Sequence, residues 1–341
     1  MEDNKDNAEK TANWVGEHRT RQFLSMQTPA DLCRLLRTPF NNLEQMINHP
    51  VYHGFSVPKK RGGYREIMAP SVELKRFQRR LNHYLQLCYL YIRPVEVHGF
   101  VIHPKHLQEP CNIVANASQH AGKKYLLNID LREFFPGITA RRVKEVFHSS
   151  CFSFSDQIAT ALTLLATYHG KLPTGAPTSP VISNFICFGL DYDLIVFCEN
   201  SHLTYSRYAD DLTFSSNDPI NPSITDEIIT LVERHGFEVN RKKTRLTSSY
   251  RKQTVTGITV NEKVNVDRNL LKKTRAMLHD LSLNGAELAT RRHFNIRSEV
   301  TPELISTFIS RLTGYINFTG QVRGPEDYMY LKFKEQLTNN T

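Results

Sequence analysis

The chain has 341 residues, 40% of them apolar. That is enough for one large domain or two to three packed subdomains around a sizeable core, and it excludes a chain that stays unfolded throughout. Lys and Arg number 43 against 34 Asp and Glu, and the net charge of +9 favours a polyanionic partner, either nucleic acid or an anionic membrane surface.

In chain order, residues 1 to about 12, with the polar start "MEDNKDNAEK", read as a disordered tail unlike a signal peptide. Thr28-Pro29 opens a short helix over "TPADLCRLLR", Thr as N-cap and Pro at the first helical position. The stretch 55–70 reads as a β-hairpin whose turn takes Gly62 and Gly63. A strong helix follows over 71–92, with Leu74, Phe77, Leu81, Tyr84, Leu85 and Cys88 as its apolar stripe. Its Lys75, Arg76, Arg79 and Arg80 fall on other faces and suit a solvated surface or a nucleic-acid track equally.

Tyr125 to Ile129 form a buried-type strand that ends at Asp130. A helix over "SITDEIITLVERHG" takes Ser223 as its cap and closes at Gly236. Past residue 262 the chain turns helical, one helix opened by Asp267 and another by Thr301-Pro302. No apolar run approaches the roughly 20 residues that cross a bilayer, so nucleic acid is preferred to lipid as the polyanion. Cys33, Cys88, Cys111, Cys151, Cys187 and Cys198 include no C-x-x-C and read as reduced thiols, mostly in the core, as in a cytoplasmic protein. His103-x-x-His106 with Cys111 lacks a fourth zinc ligand, and Pro104 interrupts its spacing.

The chemistry-bearing stretch is "TYSRYADDLTFSS". Apolar residues alternate on both sides of Asp210-Asp211, which places the two acids at a strand junction. Adjacent carboxylates repel unless a cation neutralises them, and Mg²⁺ prefers carboxylate oxygens while keeping places for phosphates and water. If the strand ending at Asp130 is a neighbour, three carboxylates converge on a metal pair about 3.5–4 Å apart. For an isolated Asp-Asp pair, a solvated turn is the plainer reading.

The ordered set "NIDLREFF", "LPTGAPTSPVISN" and "YADDLTFS" resembles the motifs of reverse transcriptases, and the resemblance extends over about residues 50 to 320. It implies an α+β fold of right-hand polymerase architecture: a tail and helix over 1–35, fingers over 36–125, a palm over 126–262 with an antiparallel sheet, a catalytic hairpin and an insertion near 140–172, and a helical thumb over 263–341. It implies Asp130, Asp210 and Asp211 as catalytic acids, Asp130, Leu131, Asp210 and Asp211 as the metal set, and two Mg²⁺ ions, with Mn²⁺ able to substitute. Lys60 and Arg65 in the fingers hairpin, Thr174-Gly175, and Lys243 (or its neighbour Lys242, either of which could instead be a solvated strand end) are the implied dNTP contacts. Phe135 matches an aromatic gate under the sugar, although paired aromatics such as Phe134 and Phe135 are also typical of a core. The family usually has Gln where this chain has Thr174, a shorter side chain without the two-ended amide.

"NASQH" (116–120) and "VTG" (255–257) resemble the two signatures of retron reverse transcriptases. The resemblance implies RNA binding by Asn116, His120, Val255, Thr256 and Gly257, with Lys272, Lys273, Arg275 and Arg323 suited to the RNA backbone. His120 as a satisfied core histidine and Gly257 as a simple turn are the plainer alternatives. The implied activity is RNA-directed DNA synthesis on a cognate structured non-coding RNA of msr-msd type. Priming from an RNA 2′-OH gives branched RNA–DNA (msDNA). The implied setting is bacterial antiphage defence, with cellular RNase H and an effector protein as partners and no membrane. A non-catalytic RNA-binding scaffold that restrains an effector, and a reverse transcriptase of group II intron or diversity-generating type, are the competing readings.

Overall fold

The computed structural model describes residues 16–59, 62–102 and 110–340. The expected tail over 1–12, Lys60 and the His103/His106 pair lie outside these residues. In chain order, residues 16–24 are helical. There follow α1 (Pro29–Leu36), α2 (Phe40–Asn48), β1 (Tyr52–Pro58), β2 (Tyr64–Pro70), α3 (Val72–Leu90), α4 (Ile113–Ser118), β3 (Tyr125–Asp130), α5 (Ala140–His148), α6 (Asp156–Ala166) and α7 (Ser179–Asn200). The remainder comprises β4 (Thr204–Tyr208), β5 (Asp211–Ser216), α8 (Pro222–Arg234), β6 (Arg245–Ser248), β7 (Thr254–Val255), β8 (Ile258–Thr259), α9 (Arg268–Phe294), α10 (Pro302–Arg323) and α11 (Tyr328–Thr338). The strands form a β1-β2 ribbon, a four-stranded sheet of order β4-β5-β3-β6, and a β7-β8 ribbon.

Two compact units emerge. The first takes residues up to Cys111, Asn128–Leu212 and Asn221–Arg245. The second takes Asn112–Leu127, Thr213–Ile220 and the chain from Leu246 onward.

In the first unit the start of α1 is fixed as its sequence dictates. The Thr28 side chain accepts from the Asp31 amide while Asp31 reaches back to the Thr28 amide, a capping box with Pro29 at the first helical position. The apolar stripe of α3 is buried at Leu74, Phe77, Leu81, Leu85 and Cys88, with Tyr84 half-buried. The cap of α8 is Asn221 rather than Ser223: Asn221 Oδ1 accepts from the Ile224 amide and Pro222 takes the first helical position. Asn caps as well as Ser, and a proline at N1 needs no amide partner, so the start moves upstream.

Helix α7 corrects the reading that no segment is long and apolar enough to cross a membrane, because its 22 residues are. More than half of its most apolar window is buried in protein. At its centre the carboxylate of Asp191 pairs with Arg207 at 2.6 Å, both side chains fully buried. It is the core helix of this unit.

In the second unit, Met277, Leu278, Leu281, Phe308, Leu312, Ile316 and Phe333 from α9, α10 and α11 form one apolar cluster. Helix α9 is broken at Gly285 (φ 75°, ψ 172°), a conformation that glycine adopts without steric cost. Asp280 spans the break, accepting from Arg292 at 2.7 Å and from Asn284 at 2.6 Å. A second cluster joins Ala117, Leu126, Val255, Ile258, Val260, Val266 and Val322.

Candidate active site

β3 delivers Asp130 at its C-terminal end, and the β4–β5 turn delivers Ala209, Asp210 and Asp211. The turn is tight: Ala209 has φ +61°, a left-handed conformation uncommon outside glycine. The Leu131 amide donates to the Asp210 carbonyl at 3.0 Å, which brings the end of β3 directly beside the turn. The three expected carboxylates are thus neighbours. Leu131 offers only main-chain atoms to a cation, since its apolar side chain is 2% exposed.

The electrostatics register this crowding. Burial raises the Asp210 carboxyl above its usual range, and Asp130 raises it further, while Arg65 and Lys243 oppose the shift. Asp211 is pushed up to about 6, by burial first and then by the charges of Asp210 and Asp130, with Lys243 again opposing. Asp130 accepts from Lys243 Nζ at 2.9 and 3.1 Å and from Asn240 Nδ2 at 3.1 Å. Asn240 also donates its amide to the Asp130 carbonyl at 2.8 Å. Lys243, expected at the triphosphate, is here paired with Asp130.

An all-oxygen donor set of mutually repelling carboxylates suits a hard divalent ion. Among the described residues no three His, Cys, Asp or Glu side chains stand at common ligating distance. The donors fit such an ion by chemistry. A pH effect follows. A carboxyl raised from 3.8 to about 6 in the fold binds more protons folded than unfolded across that window, so its contribution to stability is full below pH ~4 and is lost as pH rises through ~6. We expect the melting temperature of metal-free protein to fall over this range more than that of Asp211→Asn. Mg²⁺ should recover the loss at pH 7 and less of it at pH 5. Identical pH slopes for the two proteins in thermal melts would remove the assignment.

Beneath the turn lies a polar network that the sequence reading missed. Arg207 donates to both Asp191 oxygens (2.7 and 2.6 Å), to Asn184 Oδ1 (2.9 Å) and to the Ala209 carbonyl (3.2 Å). Tyr205 donates to Asp191 at 2.8 Å, and Asn184 Nδ2 donates to the Gly99 carbonyl at 3.0 Å. Arg207, Asp191 and Asn184 are fully buried. The signal was available in "SRYADD" and "SNFICFGLDYD", as one arginine in a strand and two acids, Asp191 and Asp193, in an apolar helix. Only the fold shows that Arg207 and Asp191 meet.

Gly99 is part of this support, since a Cβ built on it would lie 2.3 Å from the Ala209 nitrogen. Gly99→Ala must displace the Tyr208–Asp211 turn. We expect polymerase activity to fall by about 100-fold, the scale of a 1 Å misplacement, with only a small loss of helical signal by circular dichroism. Activity within threefold of wild type would show that the turn tolerates the shift.

Arg65, on β2 opposite Val57, is exposed and acts electrostatically on Asp210. The Thr174-Gly175 loop meets the same strand: the Met68 amide donates to the Thr174 carbonyl at 2.8 Å. Gly175 has φ +124°, and a Cβ there would lie 2.9 Å from Ile67 Cγ2. Phe134 takes the core position expected of one of the two rings. Phe134 is 7% exposed and stacks on Phe237 at 5.9 Å, whereas Phe135 is half-buried.

The two short signatures come together in the second unit. Helix α4 carries Asn116 and packs on the β7-β8 hairpin, where Thr256 Oγ1 donates to the Ile113 carbonyl at 3.1 Å. Thr256 (φ 47°) and Gly257 (φ 84°) form the two-residue link between paired Val255 and Ile258, as a hairpin turn of type I′ requires. Burial corrects part of the RNA-contact expectation. Asn116, His120 and Val255 are at most 1% exposed, with His120 Nδ1 2.7 Å from Ser215 Oγ. At the tip of the hairpin Gly257 is exposed and Thr256 half-buried. Lys272, Lys273 and Arg275 are exposed on α9. Arg323 is instead engaged, donating to Asp327 and Asn265 at 2.8 Å each.

A family model described as reverse transcriptase (RNA-dependent DNA polymerase) matches residues 57–260. The retron Ec86 reverse transcriptase of Escherichia coli is 36% identical over 226 residues, which cover 66% of this chain and 67% of that one. The chain belongs to the retron reverse transcriptases. Two further relatives come from Myxococcus xanthus. The retron Mx65 reverse transcriptase is 34% identical over 72% of this chain and 59% of its own length. The retron Mx162 reverse transcriptase is 32% identical over 79% and 60%. The match therefore spans about three fifths of these two relatives. Among solved structures, telomerase from Candida albicans aligns over 87% of this chain and 61% of its own, at 12% identity and a TM-score of 0.46. The α+β, right-hand polymerase fold expected of a retron reverse transcriptase is the fold present here.

Proposed function

We propose that this retron reverse transcriptase is an RNA-directed DNA polymerase that binds a cognate structured RNA of msr-msd type and copies part of it into DNA. Synthesis starts from an RNA 2′-OH and gives branched RNA–DNA, cellular RNase H trims the template, and the complex works with an effector in antiphage defence in the bacterial cytoplasm. The observation that carries the reading is Asp130 at the end of β3 beside Asp210 and Asp211 in the β4–β5 turn, in a chain of this family. The fingers, palm and thumb follow the boundaries 36–125, 126–262 and 263–341.

Divalent cations, Mg²⁺ or Mn²⁺, would supply charge neutralisation at the phosphates and acidify the attacking hydroxyl when held by the three aspartates. The chain's own groups do the rest. Arg65 and Lys243 face the triphosphate charge. The Thr174-Gly175 loop is tied to β2 and shapes the floor under the nascent pair. The Phe135 ring lies under the sugar and excludes a 2′-OH. Thr256 and Gly257 at the hairpin tip, with Lys272, Lys273 and Arg275, meet the RNA through shape and backbone charge.

The test is isolation of the protein from its host and sequencing of the bound nucleic acid. DNA joined to RNA through a 2′–5′ linkage, released by debranching enzyme, is the expected result. RNA without DNA would favour the scaffold reading, and unbranched DNA alone would favour another reverse transcriptase lineage.

A further inference from the structure

Phe100 has no role in the motifs above, and its surroundings set it apart from an ordinary core residue. It holds φ +61°, where a bulky side chain is strained. Polar contacts keep it there. Gln86 Nε2 donates to the Phe100 carbonyl at 2.8 Å, and Gln86 Oε1 accepts from the Ile102 amide at 3.1 Å. One residue earlier, Gly99 lies against the backbone of Tyr208 and Ala209 and accepts from Asn184. One before that, the His98 amide donates to the Arg207 carbonyl at 3.0 Å. The segment 98–100 is thereby fixed to the catalytic hairpin on one side.

On the other side the Phe100 ring meets Phe135, centroid to centroid at 5.7 Å with the planes at 34°. Phe134, anchored on Phe237, contacts Phe135 from another side at 5.3 Å and 47°. Phe135 is half-buried, so its orientation is set by the rings it leans on. A strained backbone persists only where its surroundings over-determine it, and such positions concentrate at functional sites. Here the strain aims one ring at another.

We propose that Phe100 is a positioning residue for sugar discrimination: through Gly99 and its own αL backbone it references the Phe135 ring to the YADD turn, so that the gate closes at a fixed height below the incoming nucleotide. This rests on Phe135 acting as the gate. The chemistry it governs is the choice between deoxy- and ribonucleoside triphosphates. Phe100 itself touches neither the substrate nor the metal ligands in this role.

The experiment measures kcat/KM for dGTP and GTP on one RNA template with wild type, Phe100→Ala, Phe100→Leu, Phe100→Tyr, Phe135→Ala and the Phe100→Ala/Phe135→Ala double variant. Phe100→Ala and Phe100→Leu should lower discrimination by about tenfold, with dGTP efficiency falling less than the GTP efficiency rises, since a ring displaced by a fraction of an ångström no longer meets the 2′-OH. Phe100→Tyr keeps the ring and should keep discrimination. The double variant should discriminate no worse than Phe135→Ala alone, the non-additivity of two residues acting through one. If Phe135→Ala lowers discrimination and neither Phe100→Ala nor Phe100→Leu does, Phe100 is ordinary packing and the proposal falls while the gate stands. Equal losses on both triphosphates at Phe100 overturn it likewise. If Phe135→Ala leaves discrimination unchanged, the gate assignment fails first and takes this inference with it. Should Phe100→Ala fold poorly, Phe100→Leu keeps most of the volume and carries the same readout.

Discussion

Asp210→Asn is expected to lower dNTP incorporation on an RNA template with Mg²⁺ by roughly 10³-fold or more, the scale of losing charge stabilisation at a reacting phosphate. The carboxylate faces Asp130 and Arg65 electrostatically and shares its turn with Asp211. The substitution takes away one carboxylate oxygen that would hold a cation while leaving the hairpin's main chain intact, because the Leu131 bond is to the Asp210 carbonyl. The variant should therefore fold, melt at least as high as wild type without metal, and still bind RNA. Relief of carboxylate repulsion would raise its metal-free melting temperature. Full incorporation by purified Asp210→Asn would end the polymerase reading of this site. Loss of incorporation together with loss of RNA binding would mean that the substitution had damaged the fold.

The second large effect is on stability. Asp191→Ala leaves the Arg207 guanidinium fully buried and without its carboxylate, at an expected cost of about 3–5 kcal/mol. Arg207 also holds the Ala209 carbonyl and Asn184, so the β4–β5 turn should loosen with it. The paired replacement Asp191→Leu with Arg207→Met should recover much of that stability, since well-packed apolar groups often match a buried ion pair. It should not recover the turn's hydrogen bonds. Urea denaturation midpoints and single-turnover rates separate the two consequences. A double variant as unstable as Asp191→Ala, or one with wild-type rates, would show that the pair does not work in this way.

Much of the site was legible because its chemistry is local in sequence. Asp130 closes a strand whose apolar run is visible, and Asp210-Asp211 sits between two alternating runs. The α1 capping box and the 55–70 hairpin were likewise written in adjacent residues. What escaped was long-range. Arg207 and Asp191 are unremarkable in their own segments, and each acquires meaning only when β4 lies on α7. Gly99 and Phe100 contact the turn and the Phe135 ring across more than thirty positions of chain. Burial was equally hidden: "NASQH" supplies a helix and a histidine, but only packing shows that Asn116 and His120 face inward against the β7-β8 hairpin and its surroundings. The cap of α8 was misplaced because Asn221-Pro222 and Ser223 offer competing starts, and propensity alone ranks them nearly equal.

The buried carboxylate of α7 has one more consequence, for the newborn chain. Asp191 is synthesised sixteen residues before Arg207. Until that arginine emerges, the ribosome presents a 22-residue helix with the length and composition of a membrane anchor. Each of the carboxylates Asp191 and Asp193 near the middle of such a helix costs roughly 2.5–3.5 kcal/mol against insertion into a bilayer. Before it becomes half of an ion pair, Asp191 thus adds to the cost of placing this helix in a bilayer. Changing it to Leu should shift newly made protein toward the membrane fraction even when Arg207→Met restores the stability of the finished fold, and pulse-labelled fractionation would detect the shift.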